Sequence, residues 1–111
     1  MSKKQERLEK LSAIAALHYE REAHEMSQVL ERRRELERHI RTLSASGHGA
    51  FDTDDLALGA QAQTLWKQSQ STQRARLQDE LAKTRARQER LKGPLAKAYG
   101  RKDVLDKLKR R

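Results

Sequence analysis

The chain has 111 residues, of which 37% are Asp, Glu, Lys or Arg and 35% are hydrophobic, and its formal net charge is +9. That is too much charge and too little oil for a thick-cored globule, and the dominant Ala, Leu, Glu, Lys, Arg and Gln are all good helix formers. Cysteine is absent, which excludes disulfides and thiolate metal sites. No apolar run reaches the ~20 residues that a bilayer span needs.

The text from Met1 to Arg7 is charged, and no apolar stretch follows it. It does not read as a secretory signal, so the expected location is the cytoplasm, without membrane insertion. A first helix is expected over about 3–44. Leu8, Ala15, Val29, Leu36 and Leu43 recur at heptad spacing, and Tyr19, Met26 and Ile40 fill the complementary seam position. Leu11, Ile14, Ala23 and Leu30 widen the stripe. A strict seven-residue repeat implies coiled-coil packing. Glu22 and Arg33 fall at seam positions, where long side chains can snorkel outward at small cost. From Glu31 to Arg38 the exposed face alternates in sign, as solvated helix faces laced with local ion pairs do.

A tip is expected over 45–53. Gly47 and Gly49 stop the first helix, Ser44 and Ser46 favour a loop, and Thr53, Asp54 and Asp55 cap the next helix. Phe51 is placed to staple onto the first turn near Leu56. The second helix is expected over about 54–109. It opens with Leu56, Leu58, Ala62, Leu65 and Trp66, and a polar stretch runs from Lys67 to Gln73. The seam then returns with Leu77, Leu81, Thr84, Gln88, Leu91, Leu95, Ala98 and Leu105. Pro94 cannot donate to Arg90, yet the apolar phase continues through it. A kink at 93–94 inside one helix is the favoured reading, and a separate third helix the alternative.

Two long amphipathic helices around one breaker imply an all-α fold, an antiparallel coiled-coil hairpin forming a single domain over 1–111. Pairing counted from the tip sets Leu43 near Leu56, Leu36 near Ala62 and Ala15 near Thr84. On that register residues from about 96 onward project past the first helix, leaving Val104, Leu105 and Leu108 uncovered. Cations outnumber carboxylates at both chain ends, so the terminal end reads as a basic, partly apolar docking end.

Catalytic chemistry is not expected. His24-Glu25 lacks its second ligand, because position 28 is Gln28. Gly47-His48-Gly49 is not followed by a phosphate-loop lysine. Asp52, Asp54 and Asp55 lack the spacing and closing Glu of an EF-hand. No nucleophile, base and orienting group occur together, so the expectation is no catalytic residue, metal or cofactor. Nucleic acid is disfavoured as a partner, because the positive charge is interleaved with acids and aromatics are few.

The charged start Lys3-Lys4-Gln5-Glu6-Arg7-Leu8, Trp66 shortly after the tip, the run Gln73-Arg74-Ala75-Arg76-Leu77 and the closing Arg101-Lys102-Asp103-Val104-Leu105-Asp106-Lys107-Leu108 together resemble the FliJ/YscO family. These are the central-stalk proteins of flagellar and other type III export machines. The resemblance implies a non-enzymatic, monomeric or weakly dimeric stalk. Its terminal end would enter the export ATPase hexamer and promote assembly or hydrolysis, and its other region would touch the export gate protein or export chaperones. It further implies a peripheral place at the inner membrane through the export apparatus. Carried onto this chain, the ATPase-facing residues are Lys3, Lys4, Arg7, Arg101, Lys102, Leu105, Leu108 and Lys109. The gate- or chaperone-facing residues are Ala62, Trp66, Ser69 and Gln73, along one helical face; packing of Trp66 on Arg33 and Leu36 is the structural alternative. Apart from the resemblance, a basic coiled-coil adaptor that binds nucleic acid or itself is the alternative function.

Overall fold

The computed structural model describes residues 2–45 and 56–111, and nearly all of them are helical. Helix α1 spans Lys3–Ala45 and helix α2 spans Leu56–Lys109. The fold is the expected all-α antiparallel coiled-coil hairpin. No described helix is long and apolar enough to cross a membrane. The expected stop at Gly47 and Gly49, the Phe51 staple and the cap at Thr53 to Asp55 lie outside the described residues.

The heptad in α1 is strict. With Ser12, Tyr19, Met26, Arg33 and Ile40 as a positions, the d positions are Leu8, Ala15, Glu22, Val29, Leu36 and Leu43. Every one of these is buried or half-buried. In α2, Leu81, Gln88, Leu95 and Lys102 take a, and Leu77, Thr84, Leu91, Ala98 and Leu105 take d, again all at least half-buried. The most buried apolar side chains are Leu36, Ala98, Val29 and Leu81. Leu11 and Ile14 do not join the seam. They fall at g and c, and they are 51% and 63% exposed.

The chain divides into two compact units, one of residues 32–84 and one of residues 1–31 with 85–111. In the first, the Gln70 amide donates to the Leu43 carbonyl at 3.4 Å, and Arg74 donates to the Ser44 hydroxyl at 3.2 Å. α1 has no basic residue in its last turn, so α2 supplies donors to carbonyls and hydroxyls that the helix end leaves open. Arg32 meets Glu80 at 2.9 Å from the flanking g positions. This register sets Leu36 opposite Leu81. It replaces the expected pairing of Leu43 with Leu56 and of Leu36 with Ala62. The leading turns of α2, from Leu56 to about Ser69, therefore run beyond Ala45, the last described residue of α1. Leu56 is 89% exposed, and Leu58 and Leu65 are exposed as well. Trp66 is half-buried in this leading segment and is not opposite Arg33 or Leu36.

In the second unit, Glu25 meets Arg87 at 3.4 Å, Tyr19 packs on Tyr99, and Ser12 reaches Asp106. Ala15 therefore faces the stretch around Lys102, not Thr84. The expected overhang beyond residue 96 does not exist, because α1 covers α2 to its last turn. The cause is the extra length that α2 carries near the tip, which shifts every partner toward the C-terminus.

The polar seam positions are accommodated locally. Glu22 meets His18 at 3.5 Å, and Arg33 donates to Glu37 at 2.8 Å, as expected of snorkelling side chains. The Thr84 hydroxyl donates to the Glu80 carbonyl at 2.8 Å, satisfying its polar atom within its own helix. α2 runs unbroken through Pro94, so no third helix forms there. Pro94 is exposed, and the Arg90 carbonyl that lacks its N–H partner can turn to water.

Candidate functional site at the paired termini

Both chain ends lie in the same unit, and each helix is finished there by its own chemistry. Ser2 caps α1, its hydroxyl accepting from the Gln5 amide at 3.3 Å. Ser2-Lys3-Lys4-Gln5 has the spacing of a capping box, a start signal legible in the sequence. Glu6 lies in the first turn of α1, and Lys107 and Lys109 lie in the last turn of α2, where each charge opposes the helix dipole.

The two flanks of the seam differ. On the side where e positions meet, the hairpin is closed by a polar and aromatic lock. The Ser12 hydroxyl, 5% exposed, donates to Asp106 Oδ1 at 3.2 Å. Lys102 donates to Asp106 Oδ2 at 3.4 Å, and its ammonium stands 5.6 Å from the centre of the Tyr19 ring. That ring meets Tyr99 at 5.8 Å between centroids, tilted by 58°. The contact combines cation–π attraction with an edge-tilted aromatic pair. Desolvation pushes the Asp106 carboxyl up, but the Ser12 hydroxyl and the Lys102 ammonium, with Lys109 beyond, outweigh it and hold the carboxyl below its ordinary value.

The flank where g positions meet is open. Leu11, Ile14 and Ala15 of α1 and Gly100, Val104 and Leu105 of α2 form an apolar groove of about 530 Å³, with His18 and Arg101 at its edge. Val104 is 56% exposed, so the groove presents aliphatic surface directly to solvent. Gly100 lies at the groove's edge, where a Cβ would meet nothing within 4 Å.

The unit brings all the terminal candidates together. Lys3, Lys4, Arg7, Arg101, Leu108 and Lys109 are exposed, whereas Leu105 is half-buried in the groove and Lys102 is committed to the lock. The four candidates near the tip divide. Gln73 joins His39, Thr42, Leu43, Arg76 and Leu77 around a smaller groove of about 370 Å³. Ala62 and Trp66 are half-buried and Ser69 is exposed, all on the leading segment of α2. Leu11 and Ile14 were missed as surface residues. Their g and c positions, read strictly from the heptad, are the signal that would have found them.

Among the described residues no group of His, Asp and Glu is arranged to hold a metal ion. Compared with protein-family models, curated proteins and solved structures, the chain matches none.

Proposed function

We propose that the protein is a non-enzymatic central-stalk or coupling component of a type III protein export apparatus. In this reading its paired-termini end binds the export ATPase hexamer and promotes its assembly or activity. The export gate protein or export chaperones meet the chain at Ala62, Trp66, Ser69 and Gln73. The protein would then sit at the cytoplasmic face of the inner membrane through its partners.

The observation that supports this reading is the groove of Leu11, Ile14, Val104 and Leu105 at the end where both termini meet, edged by Arg101 and flanked by exposed Lys3, Lys4 and Arg7. Exposed aliphatic surface ringed by cations suits a protein partner with an acidic rim. The polar lock of Ser12, Lys102 and Asp106 keeps the two helices in register beneath it. Lys102 therefore acts by holding the end together, while Arg101 and Lys109 remain free to reach a partner's surface.

The test is ATP hydrolysis and hexamer formation by the export ATPase of the same genome, with and without the protein at stoichiometric ratio. Stimulation is expected, and Arg101→Glu with Val104→Asp is expected to abolish it while circular dichroism stays helical. These substitutions replace truncation of the C-terminal residues, which would remove Asp106 and unlock the hairpin. Absence of both stimulation and association would refute the proposal.

A further inference from the structure

We infer that the open flank of the terminal unit seats a single amphipathic helix of a partner protein, with an aliphatic stripe bordered by Asp and Glu, so that three helices pack where two pack now. The inference names the partner chemistry for the end described above and rests on the reading that this end docks to another protein.

Two observations carry it. The first is the shape and chemistry of the groove. Leu11, Ile14 and Val104 stand more than half exposed on either side of a floor made by Ala15 and Leu105, with Gly100 at its edge. A furrow between two antiparallel helices, lined by aliphatic side chains at heptad-related positions, is the surface that a third helix covers in helical bundles.

The second is how charge is distributed around the hairpin. Between Lys3 and Arg21 and between Lys97 and Lys109, every fully charged residue at a c or g position is basic: Lys4, Arg7, Arg21, Lys97 and Arg101. Over the same stretches every carboxylate lies at b or e, namely Glu6, Glu9, Glu20, Asp103 and Asp106. On a helix with a and d inward, c and g form one flank and b and e the other. The acids therefore gather on the locked flank, and the open flank carries cations alone. Farther along, at Glu25–Arg87, the g positions return to mixed sign and pair across the hairpin. The purely basic border ends close to where the groove ends.

Other occupants fit less well. A second copy related by a two-fold axis would set this basic flank against itself, with Arg101 and Lys97 of both chains crowded together. A nucleic-acid backbone would satisfy the cations but leave Leu11, Ile14 and Val104 without apolar contact. An acidic amphipathic helix satisfies both features.

The test uses the full chain and a fluorescent synthetic peptide of about 20 residues, long enough for several helical turns. The peptide has Leu at i, i+3, i+4 and i+7 spacing and Glu on both sides of the stripe. A control peptide replaces each Glu by Lys. Anisotropy is expected to show binding of the acidic peptide alone, with a gain of helicity by circular dichroism. Ile14→Gln with Val104→Gln is expected to weaken it by about tenfold or more. Lys97→Glu with Arg101→Glu should turn the preference toward the Lys peptide.

Equal binding of both peptides, or an affinity unchanged by the Ile14 and Val104 substitutions, would overturn the inference. So would duplex DNA or anionic vesicles that occupy the site equally well in the wild type and in the Gln variant. The ATPase assay separates the two readings. Peptide binding without engagement of the ATPase supports this inference and counts against the export stalk. Engagement of the ATPase without peptide binding does the reverse.

Discussion

Leu36 has no solvent exposure and lies opposite Leu81, itself only 8% exposed. Leu36→Ala removes the best-buried aliphatic side chain at the seam. Leu→Ala changes in cores cost about 2–5 kcal/mol, the spread reflecting how far the site collapses. Two helices can approach each other more readily than the walls of a thick core, so the lower half of that range applies, about 2–3 kcal/mol. A chain of this size is stabilised by roughly 5–15 kcal/mol in all, and a hairpin with one thin seam belongs near the bottom of that interval. The substitution should therefore cancel a large part of the total and lower Tm by about 10–20 °C. Leu17→Ala, on the exposed f position of the same helix, is the control and should change stability by no more than about 0.5 kcal/mol. Thermal and urea unfolding followed at 222 nm measures both. A loss below about 1 kcal/mol for Leu36→Ala, or an equal loss for Leu17→Ala, would mean that the heptad seam is not where the stability resides.

Two further outcomes follow from particular contacts. Because the folded-state pKa of Asp106 is depressed, its contribution to stability is present above the unfolded carboxylate value and is lost as pH falls through the folded value. Ser12→Ala should reduce that acid-side dependence, and an unaltered pH profile of urea midpoints would show that the Ser12–Asp106 bond is not stabilising. Pro94→Ala restores a donor for Arg90 in an unbroken helix and should raise stability by about 1–3 kcal/mol. A lower Tm for Pro94→Ala would show that Pro94 itself favours the pairing of Leu91 and Leu95.

The helices and the seam were legible because the a and d positions from Leu8 to Leu43 keep strict phase, and the returning seam from Leu77 to Leu105 keeps it through Pro94. The register was not legible. Ala, Gln and Leu between Leu56 and Ser69 suit a helix whatever lies beside it, so nothing in that text showed that α2 reaches the Leu43 carbonyl only at Gln70. The decisive contacts, Gln70 on Leu43 and Ser12 on Asp106, are polar side-chain matches that periodicity does not encode. The same gap hid the groove. Leu11 and Ile14 looked like extensions of an apolar stripe, and only their g and c positions, borne out by their exposure, separate a wide seam from a second, uncovered surface. Both ends were nonetheless correctly read as adjacent and basic, because charge runs survive an error in register.

Sequence separation along the hairpin has a kinetic consequence. The contact of Gln70 with Leu43 closes a loop of 27 residues, whereas Ser12 and Asp106 are 94 apart. If both had to close from an open chain, the longer loop would cost about 1 kcal/mol more in chain entropy. Zippering from the tip avoids that cost, since each pair formed shortens the search for the next. The transition state for folding should then contain Leu36 and Leu81 with high φ-values, and Tyr19, Tyr99 and the Ser12–Asp106 bond with low ones. Changes at the terminal lock would act almost wholly on the unfolding rate. The last segment to form is also the first to open, so closure of this segment and occupancy of its groove share one equilibrium, and a bound helix would slow the opening of the whole chain from that side.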